Sequence, residues 1–475
     1  MDGRKTIFTN PSLISRYVCN IRFLVVAAVC VLIIAGTVYF SHTENESINK
    51  ELPFEKPTNG KPDIEKENND TLPGPSKWEN NEEIQIFREY LQIPSVHPDI
   101  DYEPCVAFLK KQAEGLNLPV KIYYPVNDKN PIVVLTWEGS KPELPTIVLN
   151  SHMDVVPVYE EYWKYPPFSA HIDESGNIFA RGAQDMKSVG MQYLAALRAL
   201  KRDGVQQLKR TIHVIYVPDE ERGGVQGMAG FVKSSPFKSI NLAFALDEGG
   251  VAINNEGVLP VYYAERTIWQ IEFIFHGHSG HGSKLFDDTP GEKLSYVVSK
   301  FMEFRRGEVY KLNQLKYPYG NVTTINLTKI KGGVENNVIP AEMSATFDIR
   351  ISINTDLDEF EKMIHRWCKE AGGNITVTTL EKGEKEKVTP VDDSNPYWIA
   401  FRNAVHESGL KVQAMVLGPS SDMKYIRRIG LAALGFSPLM NTVAKLHDHN
   451  EYISVDTYLA GVNVYKKIIL NLGNV

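Results

Sequence analysis

Apolar spacing changes character several times along the chain. From residue 81, "NEEIQIFREYLQIPSV" sets Ile84, Phe87, Tyr90 and Leu91 at helical intervals and stops at Pro94. "EPCVAFLKKQAEGLNLP" repeats the pattern and closes on glycine and proline. Short apolar runs then read as strands: "IVVLTW", "TIVLN", "TIHVIYVP" and "LAFALDEG". Between them "VGMQYLAALRALKRDG" predicts a helix with Gly204 at its C-terminal end, and "GMAGFVKS" a shorter one. Helices alternating with fully apolar strands predict a mostly parallel sheet covered on both faces.

Near Glu265 the period shifts to two. "TIWQIEFIFHG" alternates apolar and polar, as a half-solvated antiparallel strand does. A helical stretch around "GEKLSYVVSKFMEFRRGE" follows, then strands "VTTINLTKI" and "MSATFDIRISI", the helix "DLDEFEKMIHRWCKEAG" and the strand "ITVTTLE". That β-α-β-β-α-β order predicts a compact ferredoxin-like α+β domain. Beyond about residue 384 the earlier style returns with "NPYWIAFRNAVHESG", "VQAMVLG", "LAALGFSP" and a closing helix from Asp456. The expected fold class is therefore α/β. A catalytic domain with a mostly parallel sheet (81–264 and 385–475) is interrupted by an inserted lid or dimerisation domain (265–384).

The N-terminus adds a further expectation. Residues 23–40, "FLVVAAVCVLIIAGTVYF", hold no charge. Eighteen residues reach across roughly 30 Å of hydrocarbon at about 1.5 Å each. Arg4, Lys5, Arg16 and Arg22 precede the stretch, and Glu44, Glu46 and Glu51 follow it. The positive flank predicts a cytosolic tail over 1–22, a transmembrane signal anchor over 23–40 and a luminal or extracellular body. The chain would then be a single-pass type II membrane protein; a cleaved signal peptide giving a secreted form is the alternative. Asn45, Asn69, Asn321, Asn326 and Asn374 head acceptor tripeptides for glycosylation. Residues 41–80 are rich in Glu, Lys, Asn and Pro and bury too little to fold, so a disordered stalk is expected there.

Charge and cysteine content narrow the chemistry. A net charge of −7 without a basic stripe excludes nucleic acid as a partner. The four cysteines, Cys19, Cys30, Cys105 and Cys368, are far apart with no CxxC spacing. A disulfide framework and a thiolate zinc cluster are both excluded.

Ligands of open parallel sheets gather beyond the C-terminal ends of the strands. Reading those ends gives His152 and Asp154 after "TIVLN", and Asp185 after "IFARGAQ". Asp219, Glu220 and Glu221 follow "TIHVIYVP", Asp247 and Glu248 close "LAFAL", and His447, Asp448 and His449 follow the "ALGFSP" loop. Each has a bland reading alone. His152 and Asp154 share a strand face and can simply bond each other. Asp185 precedes a helix and can cap it. "DEE" suits a solvated turn, and Arg222 next to it can pair there. Together they differ, because carboxylates crowded at one rim repel unless a cation neutralises them. Two histidines, three carboxylates and no thiolate suit zinc or a similar divalent ion, and one shared carboxylate is how two ions sit side by side.

The motifs "SHMDVVPV", "FARGAQDMK", "VPDEERGG", "FALDEG", "GGVENNVIPA", "FDIR" and "LHDHNEYI" occur in that order. In them the chain from about residue 82 resembles the aminoacylase-1 family of zinc-dependent N-acyl-amino-acid amidohydrolases, related to carboxypeptidases and dipeptidases. The resemblance implies two zinc ions per subunit. His152, Asp185 and Glu248 would hold one, and Asp185, Glu221 and His447 the other. It implies Asp154 bonding the second ring nitrogen of His152, and Glu220 as general base, moving a proton from the attacking water to the leaving amine. His281 resembles the histidine that reaches across a homodimer to the oxyanion. Arg350 and Asn337 resemble the groups that hold the substrate carboxylate.

Two stretches depart from the family pattern: Arg222 stands where a small apolar residue is usual, and "GPSSDMKYIR" differs locally. The function so implied is hydrolysis of N-acyl-L-amino acids to a carboxylate and a free amino acid, with the length of the acyl chain, short or long, left open. A dipeptidase or carboxypeptidase is the competing reading, and a non-catalytic binding protein the third.

Overall fold

The computed structural model describes residues 78, 80–252 and 257–475, which all belong to the unit Pro73–Val475. Its largest sheet has eight strands. The parallel centre is formed by Ile212–Val217, Thr146–His152, Leu242–Asp247 and Ala432–Gly435. Ile132–Trp137 pairs antiparallel with Ile212–Val217 and carries Val120–Tyr123 at one edge. Val258–Glu265 and Lys411–Leu417 form a parallel pair at the other.

Every residue of Thr146–His152 is buried, which explains the apolar run Ile147–Leu149 at its centre, with Asn150, Ser151 and His152 buried where the strand reaches the rim. Alternate residues feed two cores. Ile147, Leu149, Val214 and Leu246 face the helices Lys187–Arg202 and Val455–Leu472. Val148, Ile215, Val217 and Ala245 face Met228–Phe231, Ser235–Ser239 and Met423–Arg428. Each such Val, Leu or Ile side chain contributes about 1.5–3 kcal/mol by leaving water, so the strand ends that emerge between the two cores are held firmly.

A four-stranded antiparallel sheet lies between Val258–Glu265 and Lys411–Leu417 in sequence. Its order is Thr324–Gly332, Glu342–Ile351, Thr267–His276, Ile375–Lys382. Thr267–His276 alternates buried and half-buried positions along its whole length, as its period-two pattern requires. Trp269, Ile271, Phe273 and Phe275 pack with Phe301 of Pro290–Asn313 and with Phe360 and Trp367 of Leu357–Glu370. The β-α-β-β-α-β order and the sheet order are those of a ferredoxin-like unit. Arg266 sits where the chain passes between the two sheets. Its guanidinium donates to the carbonyls of Val322 and Gly418 and to Thr324 Oγ1.

The α/β architecture stands, but its expected membrane element does not. Among the described residues no helix is long and apolar enough to cross a membrane. The 24-residue helix Pro290–Asn313, for instance, buries only one stripe of its surface, as an amphipathic helix on a sheet does. The span expected over 23–40, the tail over 1–22 and most of the stalk over 41–80 lie outside the described residues. The transmembrane signal anchor, the membrane as a partner, and the type II topology with its luminal, extracellular or secreted body are accordingly withdrawn.

Candidate active site

Five chain segments converge at the C-terminal rim of the parallel strands. His152 ends its strand with the imidazole buried. Its Nε2 lies 3.0 Å from Asp185 Oδ1 and 3.7 Å from Glu248 Oε2. On the other side of Asp185, Oδ2 lies 3.2 Å from His447 Nε2, which is also 2.9 Å from Glu221 Oε2. Asp185 thus stands between two imidazoles and offers one oxygen to each. The capping alternative fails, because helix Lys187–Arg202 begins without any side-chain cap.

Asp185 is held by a residue that sequence reading passed over. The buried Glu451 carboxylate accepts from the amides of Gly182, Gln184 and Asp185 and pairs with Arg181 at 2.7 Å. These partners are some 266 to 270 positions apart in the chain, so no local pattern announces them. Glu451→Ala leaves the buried Arg181 guanidinium uncompensated. It is expected to lower stability by about 3–5 kcal/mol in denaturant unfolding; a change under about 1 kcal/mol contradicts the role.

The Glu220–Arg222 turn follows strand Ile212–Val217 through Asp219, which adopts a left-handed φ of 68°. That reversal lets neighbouring carboxylates diverge. Glu221 turns to His447 with its Oε1 buried and unpartnered, while Glu220 joins the His152 side. Asp154 differs from expectation. The second ring nitrogen of His152 meets the backbone carbonyl of Asp154 at 2.9 Å, and the Asp154 carboxylate is 3.7 Å from it. The carboxylate instead accepts the amides of Glu220 and Glu221, at 3.2 and 3.0 Å. The chain leaves the pleat just after His152, so the i, i+2 rule no longer sets where the Asp154 carboxylate points.

Burial, then neighbouring carboxylates, push Glu220, Glu221 and Glu248 above the usual carboxyl range. Burial works against a charged His152, yet bonds to Asp185 and Glu248 hold it well above an ordinary imidazole. Bonds to Asp185 and Glu221 push His447 up to about 10. Burial also lifts Asp247 to about 7. Carboxylates crowded together that lean on histidine protons are what a bound cation would relieve. Two sets of ligand atoms lie within 4.8 Å of one another: His152, Asp185 and Glu221, and His152, Glu220 and Glu248. With the orphaned Glu221 oxygen, this nitrogen-and-oxygen donor set fits divalent metal.

The residues expected to bind substrate lie on the ferredoxin-like unit. His281 and Asn337 meet on a two-stranded ribbon, where Gly280–His281 pairs with Val338–Ile339 and the Gly282 amide donates to the Asn337 carbonyl. Both are exposed, and His281 Nδ1 lies 2.8 Å from Ser283 Oγ. Arg350 pairs with Asp348 of its own strand at 2.9 Å. Among the described residues, none of these three forms a hydrogen bond or ion pair with the His152–Asp185–His447 cluster.

Residues 148–471 match the model of peptidase family M20/M25/M40, and the chain belongs to that family. It is a metal-dependent amidohydrolase. Among curated relatives, mouse aminoacylase-1 is 44% identical over 393 residues, covering 82% of this chain and 95% of that one. Aminoacylase-1 of Dictyostelium discoideum is 38% identical over 409 residues, covering 83% and 98%. Among solved structures, an M20 family metallo-carboxypeptidase of Sulfolobus solfataricus shares the fold at a TM-score of 0.63 and 20% identity, over 83% of this chain and 99% of that one.

Proposed function

We propose that this chain hydrolyses N-acyl-L-amino acids to a carboxylate and a free amino acid, as a metallohydrolase. The observation that carries the reading is Asp185 offering one oxygen toward His152 and the other toward His447. Two zinc ions per chain suit that arrangement, one among His152, Asp185 and Glu248, the other among Asp185, Glu221 and His447. When bound, such ions polarise the amide carbonyl and acidify water to a pKa of about 7. Everything else is side-chain work. Glu220 takes the proton of the attacking water and hands it to the departing amine. Asp154 holds the Glu220 and Glu221 amides in place, and its own carbonyl accepts a hydrogen bond from His152 Nδ1–H, which directs Nε2 to bind.

The substrate is a small molecule, and the ferredoxin-like unit is its lid and the dimer face. Arg350 forks onto the substrate carboxylate once it exchanges Asp348 for it, Asn337 assists, and His281 reaches the oxyanion of a partner subunit. Dipeptide cleavage is the less favoured reading, since the aminoacylase relatives match nearly over their whole length.

The test is a panel of N-acetyl and long-chain N-acyl amino acids beside simple dipeptides. Faster cleavage of the N-acyl compounds supports the reading, and dipeptide cleavage alone contradicts it. For the lid, His281→Ala is expected to lower kcat by about 10²–10³-fold with metal content unchanged. Mixing it with Glu220→Gln subunits is expected to restore part of the activity, because one site in such a mixed dimer keeps both groups. Absence of complementation contradicts a shared site.

A further inference from the structure

Against the Asp154 carboxylate, at the oxygen other than the one nearer His152 Nδ1, stands a histidine that neither the motifs nor the mechanism uses. A parallel bridge between Val96 and Val155, flanked by the bonds from Val155 N to the Ser95 carbonyl and from His97 N to the Val155 carbonyl, lays segment 95–97 along segment 153–155. It brings His97 Nε2 to 2.8 Å from Asp154 Oδ2, with the His97 side chain 8% exposed and that of Asp154 fully buried. The same Oδ2 accepts the Glu221 amide at 3.0 Å, and Oδ1 accepts the Glu220 amide at 3.2 Å. A carboxylate oxygen only accepts, so His97 Nε2 is the donor of this bond, while its Nδ1 is buried without a partner. Three donors therefore fix one carboxylate, and two of them are the backbone of the glutamate pair.

We propose that His97 is a positioning residue for hydrolysis. By donating to Asp154 it stops that carboxylate from rotating, and so holds the Glu220–Glu221 turn at the angle that aims one side chain at the attacking water and the other at His447. This rests on the function proposed above. The bland alternative is a core histidine satisfied by a convenient acceptor. Two observations speak against it. The acceptor is the one group that carries both glutamate amides, and His97 also lines a cavity of about 610 Å³ together with Tyr102, Asp219 and Arg222.

The cavity supplies the decisive experiment, because it is large enough to admit free imidazole into the space a truncated side chain leaves. His97→Ala is expected to lose about 10–100-fold in kcat, with KM within about twofold and metal per chain unchanged. Amide exchange in segment 218–224 of the metal-free protein should quicken. Added imidazole is expected to restore at least a tenth of the lost kcat, scored against the unmutated protein at the same imidazole concentration. His97→Gln, which keeps an N–H donor, should retain more activity than His97→Ala. If His97→Ala fails to fold, His97→Phe keeps the ring volume without the donor and should show the same kcat loss. A folded variant within twofold of normal kcat overturns the proposal, as does a loss that neither glutamine nor imidazole repairs. An unmutated chain that leaves every N-acyl amino acid intact sinks the underlying reading instead, so the two failures are told apart.

Discussion

Glu220→Gln is expected to cut kcat by about 10²–10⁴-fold while metal per chain stays as in the unmutated protein. The substitution keeps the shape of the side chain and removes only its capacity to take a proton. Glu220 is half-buried, and desolvation and then the Glu248 charge raise its carboxyl well above the ordinary range. Such a group holds a proton long enough to deliver it to a leaving amine. Its backbone is tied to Asp154, so the variant has no reason to move the turn. Single-turnover kinetics together with elemental analysis check the outcome. Activity within tenfold of normal places the base elsewhere, and a parallel loss of metal makes Glu220 a ligand instead, a role its proximity to His152 and Glu248 also permits.

The second large effect is expected from Asp185→Ala, with the opposite signature. Asp185 bonds to both His152 and His447, so its removal takes a donor atom from both halves of the site at once. Metal content should fall well below that of the unmutated protein, and activity should drop on the order of 10³-fold or more, since the electrostatic stabilisation of the transition state goes with it. The backbone should survive, because Glu451 holds the amides of Gly182, Gln184 and Asp185 whatever the side chain at 185. Isothermal titration of zinc into the metal-free variant separates this outcome from simple unfolding. A variant that binds as much zinc as the unmutated chain removes Asp185 from its shared position.

Much of this site is legible in the sequence because a parallel sheet exports its chemistry to one rim. Finding where "TIVLN", "TIHVIYVP" and "LAFAL" end was enough to gather His152, Glu220, Glu221 and Glu248, and the structure brings them together with Asp185 and His447. What escaped depends on distance or on loop geometry. Glu451 stands within "LHDHNEYI", but its partners lie more than 260 residues away. His97 meets Asp154 through an isolated bridge that leaves no periodic trace. Val258–Glu265 joins the large sheet although its mixed burial gave no parallel-strand signature. Asp422, buried with both carboxylate oxygens unpartnered, sits in the "GPSSDMKYIR" stretch, where the resemblance was weakest. The membrane span was read from local hydropathy over 23–40 alone, and nothing among the described residues supports it.

The most direct measurement is zinc per chain on the purified protein, taken alongside its turnover of N-acyl amino acids before and after chelation. Close to two zinc per chain, with cleavage lost on chelation and regained on adding zinc back, is the expected result. A fully active protein that holds no metal, or one whose activity survives complete chelation, would contradict it.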